Sequence, residues 1–148
     1  MPTRFPTPGL VLLLSAGCSE EPDASTPAAP AELPYAAFDL SGRILGSVKN
    51  DDDSDVEIAL KETNGVEFNI NFVRLTCNNR ASSEWGAATF VAELGSNHVA
   101  GGTTLVFRRH YTCRSSGRPQ EILADLTDVN GHHHRVNAAP YHPDWPGT

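Results

Sequence analysis

From Tyr35 onward the apolar side chains of this chain recur at every second position, and that period limits what it can fold into. Phe38, Leu40, Ile44 and Val48 share one parity, with Gly42 and Gly46 on the same side. Val56, Ile58 and Leu60 alternate with Glu57, Ala59 and Lys61; Val66, Phe68, Ile70 and Phe72 alternate with Glu67, Asn69 and Asn71. A period of two puts successive side chains on opposite faces, so each segment reads as a half-buried strand. After Phe72 the apolar set changes phase to Val73, Leu75 and Cys77, as it does at a bulge or where a strand crosses between sheets. Residues 78–84 read as a polar loop leading to Trp85, followed by strands over Ala87–Leu94 and Thr103–Cys113. In the second of these, Leu105, Phe107, Tyr111 and Cys113 share a face with Arg109. About seven strands and no convincing amphipathic helix predict an all-β domain, an antiparallel sandwich or a partly open barrel.

Turn chemistry sets two registers. Thr63-Asn64-Gly65 separates two apolar runs. A two-residue Asn-Gly loop would set Leu60 opposite Asn69 and mix the faces. A three-residue loop with Gly65 left-handed pairs Glu62 with Val66, then Leu60 with Phe68, Ile58 with Ile70 and Val56 with Phe72. Val129-Asn130-Gly131 repeats the arrangement, pairing Asp128 with His132, Ala124 with Val136, and Asp125 with Arg135 as opposite charges. Two hairpins of one design are therefore expected.

Ahead of this domain stands a different kind of sequence. One early cation, Arg4, precedes the apolar run Leu10–Leu14, the small residues Ser15-Ala16-Gly17, and Cys18. This has the order of an export signal and is far short of the ~20 apolar residues that span a bilayer. The cysteine after small residues resembles the lipobox of bacterial lipoproteins. The resemblance covers residues 1–18 and implies removal of residues 1–17, diacylation of Cys18 and attachment to a membrane. Ser19 at the next position implies the outer membrane in a host that has one, because Asp there would favour the inner. Ser19–Pro34 is rich in proline, alanine and acids, with almost nothing to bury; it reads as a disordered tether holding the domain of residues 35–148 clear of the surface.

Without residues 1–17 the chain has 131 of its 148 residues, enough for one domain, with 10 Lys+Arg (11 less Arg4) against 18 Asp+Glu. That balance argues against nucleic acid as a partner, since phosphate binding needs a basic face. The acids concentrate in residues 19–67, which reads as one acidic end on a soluble protein, with a cation-attracting surface as the functional alternative. With Cys18 acylated, Cys77 and Cys113 remain; export and the lack of any CxxC spacing favour a disulfide. Closing that loop contributes roughly 4 kcal/mol in the chain-entropy treatment. The cysteines are too close together, and Trp85 too near Cys77, for the immunoglobulin pattern, so the expectation is of a sandwich architecture alone.

Three groups of residues could carry chemistry. Asp51, Asp53 and Asp55 hold the first, third and fifth positions of a calcium loop with Glu62 at the twelfth, although Val56 stands where the turn needs glycine. In the hairpin register His132 and His134 project from one face with Asp128, a donor set for Zn²⁺, Cu²⁺ or Ni²⁺ that His142 could join. Trp85 and Trp145 could stack on a sugar; alternatively, Trp85 covers the cystine and the proline-rich tail lies along a sheet edge. No nucleophile elbow, zinc-protease motif or phosphate loop is present. The expectation is thus a lipid-anchored envelope protein with a non-catalytic β domain, a binding or structural module. Its expected partners are the membrane through the anchor and another envelope protein or a polysaccharide. The alternatives are a calcium- or zinc/copper-dependent protein and a carbohydrate-binding module.

Overall fold

The structure, a computed structural model, describes residues 27–47, 52–78, 80–113 and 117–145. Expectations resting on Cys18, Val48 and Asp51 lie outside the described residues. Among those described, eight strands and one short helix run in the order β1 (Phe38–Ile44), β2 (Asp53–Glu62), β3 (Phe68–Cys77), β4 (Arg80–Gly86), α1 (Ala87–Leu94), β5 (His98–Val99), β6 (Thr104–Thr112), β7 (Pro119–Asp128) and β8 (His133–Ala138). One sheet is ordered β1-β2-β6; the other is ordered β4-β3-β7-β8, with β5 also paired to β3. The fold is an antiparallel all-β sandwich. The alternating residues Val56, Ile58 and Leu60 from one sheet and Phe68, Ile70 and Leu126 from the other are fully buried between them.

The second of the two expected hairpins forms in the expected register. Ala124 pairs with Val136 and Asp125 with Arg135, the Asp128 N–H donates to His132 O at 2.9 Å, and Gly131 is left-handed at φ 88°. The first does not form. β2 pairs with β1 and β6, with Leu60 opposite Leu40 and Leu105, while β3 pairs with β4, β5 and β7. The loop after Glu62 therefore crosses from one sheet to the other. The apolar match behind the expected register is satisfied either way, because two alternating strands bury the same side chains side by side or face to face. Each buried Ile or Leu contributes about 1.5–3 kcal/mol in both arrangements, so that term cannot choose between them. Glu62 can, as described below.

Two other expectations are corrected. Residues 80–86, read largely as a loop, form β4. Ala87–Leu94 is helix rather than strand: Ala87, Ala88, Ala92, Glu93 and Leu94 are strong helix formers. Gly95, at φ 81°, ends α1 with its N–H on Val91 O at 3.0 Å. α1 interrupts an edge strand, since β4 pairs with residues 72–77 of β3 and β5 with Phe68 and Asn69. Its one buried residue, Phe90, meets Phe107 of β6 edge to face at 5.2 Å. The phase change in β3 is a bulge at Asn71, where the register against β7 shifts between Ile70 and Phe72.

Cys77, ending β3, and Cys113, just past β6, are joined by a disulfide with their Cα atoms 5.6 Å apart, and so tie the two sheets together. Trp85 pairs with Val73, four residues before Cys77 on β3. It therefore lies roughly 13 Å along the strand from the cystine and does not cover it. The tail does lie along a sheet edge: Tyr141 bridges to Arg43 of β1, and its N–H donates to Gly42 O at 2.8 Å.

Candidate functional site

The described residues are tied together most densely where the chain enters the sandwich, around Glu62 and Asp128. Both carboxylates are buried, at 0% and 2% exposure. Glu62, closing β2, accepts from the backbone N–H groups of Asn64 (2.8 Å), Gly65 (2.7 Å), Val66 (3.1 Å), Gly102 (2.7 Å) and Ala37 (3.3 Å). It thus wraps its own loop, with Gly65 left-handed at φ 76°. Hydrogen bonds to a charged group contribute roughly 1.5–3 kcal/mol each, so this side chain selects the crossing over the hairpin.

Asp128, closing β7, accepts from the backbone N–H groups of Asn130 (3.0 Å), His132 (2.9 Å) and Ala36 (3.1 Å). Its Oδ2 also faces His132 Nδ1 and His134 Nε2, each at 3.0 Å. An ionised carboxylate only accepts, so both of those ring nitrogens carry their protons. Between the two carboxylates runs the leading segment Pro34–Ala37. Asn130 Nδ2 donates to Pro34 O at 2.5 Å and Asn64 Nδ2 to Tyr35 O at 3.1 Å. Ala36 N–H and Ala37 N–H are the donors already given to Asp128 and Glu62, and Thr63 N–H donates to Ala37 O at 2.8 Å. Four consecutive residues are thus fastened from both sides. Burial alone would push both carboxyls up. For Glu62 the backbone N–H groups outweigh it and hold the pKa below its ordinary value. For Asp128 the His134 and His132 side chains and the backbone donors outweigh it by more, and the group sits far below its ordinary value.

Among the described residues, Glu62 stands apart from Asp53 and Asp55. Glu62 lies seven residues beyond Asp55 on the same strand, roughly 23 Å away, and its oxygens are occupied by backbone. Asp53 and Asp55 instead flank His110 of β6, whose Nε2 and Nδ1 are each 3.0 Å from them. Asp55 and His110 border a shallow depression of about 290 Å³ lined also by Leu45, Gly46 and Ser54. Asp128, His132 and His134 do come together, as a hydrogen-bonded cap. Among the described residues no three His, Cys, Asp or Glu side chains are arranged to hold a metal ion. His142 is elsewhere, buried with Nε2 on Gly46 O at 2.7 Å and stacked on Trp145. Trp145 in turn has Arg118 over its ring, and both tryptophans pack against the core.

On the outer face of the second sheet, Asp125 is 3% exposed. It accepts from Asn71 Nδ2 (2.9 Å), His133 Nε2 (2.8 Å) and Arg135 Nε (2.9 Å). Burial raises its pKa, and these donors more than reverse that. The bulge is what aims Asn71 at it. Sequence reasoning missed Asn71, and it missed the role of Glu62; the signal available was an acid two residues before each Asn-Gly. No protein-family model matches the chain, and no curated protein matches it.

Proposed function

We propose that this chain is an exported cell-envelope protein, anchored by lipid at Cys18, whose β domain serves as a non-catalytic binding or structural module. The observation that carries the reading is Cys18 itself, placed after Leu10–Gly17 and before a tether that cannot build a core. Two features of the domain support it. The cystine suits an oxidising compartment. The segment where a tether would join the sandwich is clamped by two buried carboxylates, so pull on an anchor would be borne by Pro34–Ala37 rather than by β1. The partner is another envelope component, a protein or a polysaccharide.

The test is a mass spectrum of the amino-terminal peptide after expression of the full chain in a two-membrane bacterium. A diacylated peptide beginning at Cys18, partitioning into detergent and lost in Cys18→Ser, is the expected result. A mature protein that begins elsewhere or carries no acyl chain would overturn the proposal.

A further inference from the structure

Arg109 stands on the core face of β6, opposite Val56 and between the inward positions of Phe107 and Tyr111. Its side chain is only 9% exposed. The guanidinium lies over the rings of Phe107 (5.1 Å) and Phe90 (5.4 Å). One nitrogen, Nη1, is satisfied by Arg108 O at 2.8 Å and Glu93 Oε2 at 2.7 Å. The other two are not. Among the described residues, Nε and Nη2 of Arg109 are the only buried side-chain polar atoms without a hydrogen-bond partner.

Those two atoms belong together. Nε–H and Nη2–H form the parallel fork of a guanidinium, spaced to meet a carboxylate. The chain uses this fork elsewhere: Arg74 turns Nε and Nη2 on Glu84 at 2.8 and 2.6 Å. Arg108 turns both on Glu57 at 3.0 Å. In Arg109 the same fork is buried beside two aromatic rings and meets no acceptor among the described residues. A leucine or methionine would fill this position without leaving buried donors unmet, so the charge needs an explanation beyond packing.

What covers the fork is held lightly. α1 buries one residue, Phe90, and has no side-chain N-cap. Gly86 and Gly95 flank it, and its ion pair to Arg109 comes from Glu93, which is 49% exposed. Val91 and Leu94 on the helix remain exposed. Segments with so few buried contacts open locally at low free energy.

We propose that α1 is a lid over a carboxylate subsite, in which Arg109 receives the carboxylate of a small organic acid on its Nε/Nη2 fork while Phe90 and Phe107 contact the acid's apolar body. Glu93, already a carboxylate on the same guanidinium, is the latch that the ligand loosens. This deepens the reading of the β domain as a binding module and rests on it, but not on the anchor at Cys18, which is tested separately by the mass of the amino-terminal peptide.

The experiment titrates benzoate into the full chain carrying Cys18→Ser, reading the ¹⁵N–¹H resonance of Arg109 Nε and the melting temperature. Benzamide serves as the uncharged control of the same shape, and sodium sulfate as the ionic-strength control. Benzoate is expected to shift the Nε resonance saturably and raise the melting temperature, with benzamide and sulfate doing neither at the same site. Glu93→Gln, which frees the latch and leaves the fork intact, is expected to tighten benzoate roughly two- to fivefold. Arg109→Lys, which keeps the charge without the fork, is expected to weaken it by about tenfold or more. An Nε resonance unmoved by benzoate in both the parent and Glu93→Gln would overturn the proposal, as would equal benzoate binding by Arg109→Lys.

Discussion

Two loops of this protein are spelled almost alike and do different things. Glu62-Thr63-Asn64-Gly65-Val66 and Asp128-Val129-Asn130-Gly131-His132 each set a buried acid two residues ahead of Asn-Gly, with a left-handed glycine following. Asp128 closes a hairpin within one sheet; Glu62 carries the chain to the other sheet. The difference lies in one methylene and in what surrounds it. The Glu62 carboxylate reaches back under its own loop to three successive N–H groups and across to Gly102. The loop donors thus turn to the side chain, while the Glu62 N–H goes to Thr103 O. The shorter Asp128 takes only Asn130 and His132 of its loop, leaving the Asp128–His132 ladder bond intact. A turn motif therefore specifies the backbone conformation at its glycine, not which strands it joins.

The largest effect should come from removing the acids. Glu62→Ala strands up to five buried or half-buried N–H donors and is expected to destabilise by about 3–5 kcal/mol. Asp128→Ala strands three, with two imidazoles still able to reach water, and should cost about 2–4 kcal/mol. Denaturant melts of the two variants measure this. Equal losses would mean that the loops are equivalent after all and that the crossing is held by something other than Glu62.

Acid should separate the same pair by a different route. Glu62, Asp125 and Asp128 all have folded pKa values below their unfolded ones. Their contribution is therefore fully present above the unfolded values of 4.5 and 3.8, and it is lost as pH falls through the lower folded values. Melting temperature should be flat from neutral pH down to about 5 and then fall steeply. Asp128→Asn should flatten that fall more than Glu62→Gln, because Asp128 is shifted furthest. A parent that melts at the same temperature at pH 3 and pH 7 would show that these carboxylates carry no linkage.

How much of this could be read from the sequence follows the same division. Alternation placed β1, β2, β3 and β6 and their inner faces, and local turn chemistry set the β7–β8 register, because both are short-range properties. Whether β2 and β3 lie beside or across from each other is decided at a distance, by Gly102 and Ala37 reaching Glu62. No pattern of apolar residues encodes that. α1 was missed because eight residues barely complete two helical turns, too few for a 3.6 period to outweigh apparent alternation. The acids read as candidate metal ligands, Glu62 in a calcium loop and Asp128 beside histidines, because no local pattern announces that burial turns their oxygens toward backbone N–H groups. Arg109 was legible as an inward residue, but the lack of an acceptor for its Nε and Nη2 among the described residues was not.

Glycine positions sharpen the comparison at smaller scale. Gly65→Ala and Gly131→Ala each force a side chain into the left-handed region and should each cost about 1–2 kcal/mol. Gly101→Ala should cost more than either. Its added Cβ would meet the backbone of Gly65 at 2.3 Å and Val66 N at 2.7 Å, contacts that no rotamer change relieves. Thermal melts should rank Gly101→Ala first, and its damage should fall on the Glu62 loop. If Gly101→Ala proved the mildest, the packing of the 101–102 turn against that loop would be wrong.

The smallest effects should come from Asn64→Ala and Asn130→Ala, which remove one exposed side-chain bond each, to Tyr35 O and Pro34 O. About 0.5–1 kcal/mol is expected for each, too little to identify a clamp from melting alone. Amide hydrogen exchange resolves it, because the Ala36 and Ala37 N–H groups report the Asp128 and Glu62 sides separately. If Pro34–Ala37 is one fastening, either substitution should speed exchange at both amides by similar factors. If the two loops hold the segment independently, Asn64→Ala should speed Ala37 and spare Ala36, with Asn130→Ala doing the reverse. Shared loosening is the expected outcome. Val129 N–H donates to Glu67 O at 2.9 Å and ties one loop to the other, so neither can relax without moving its neighbour.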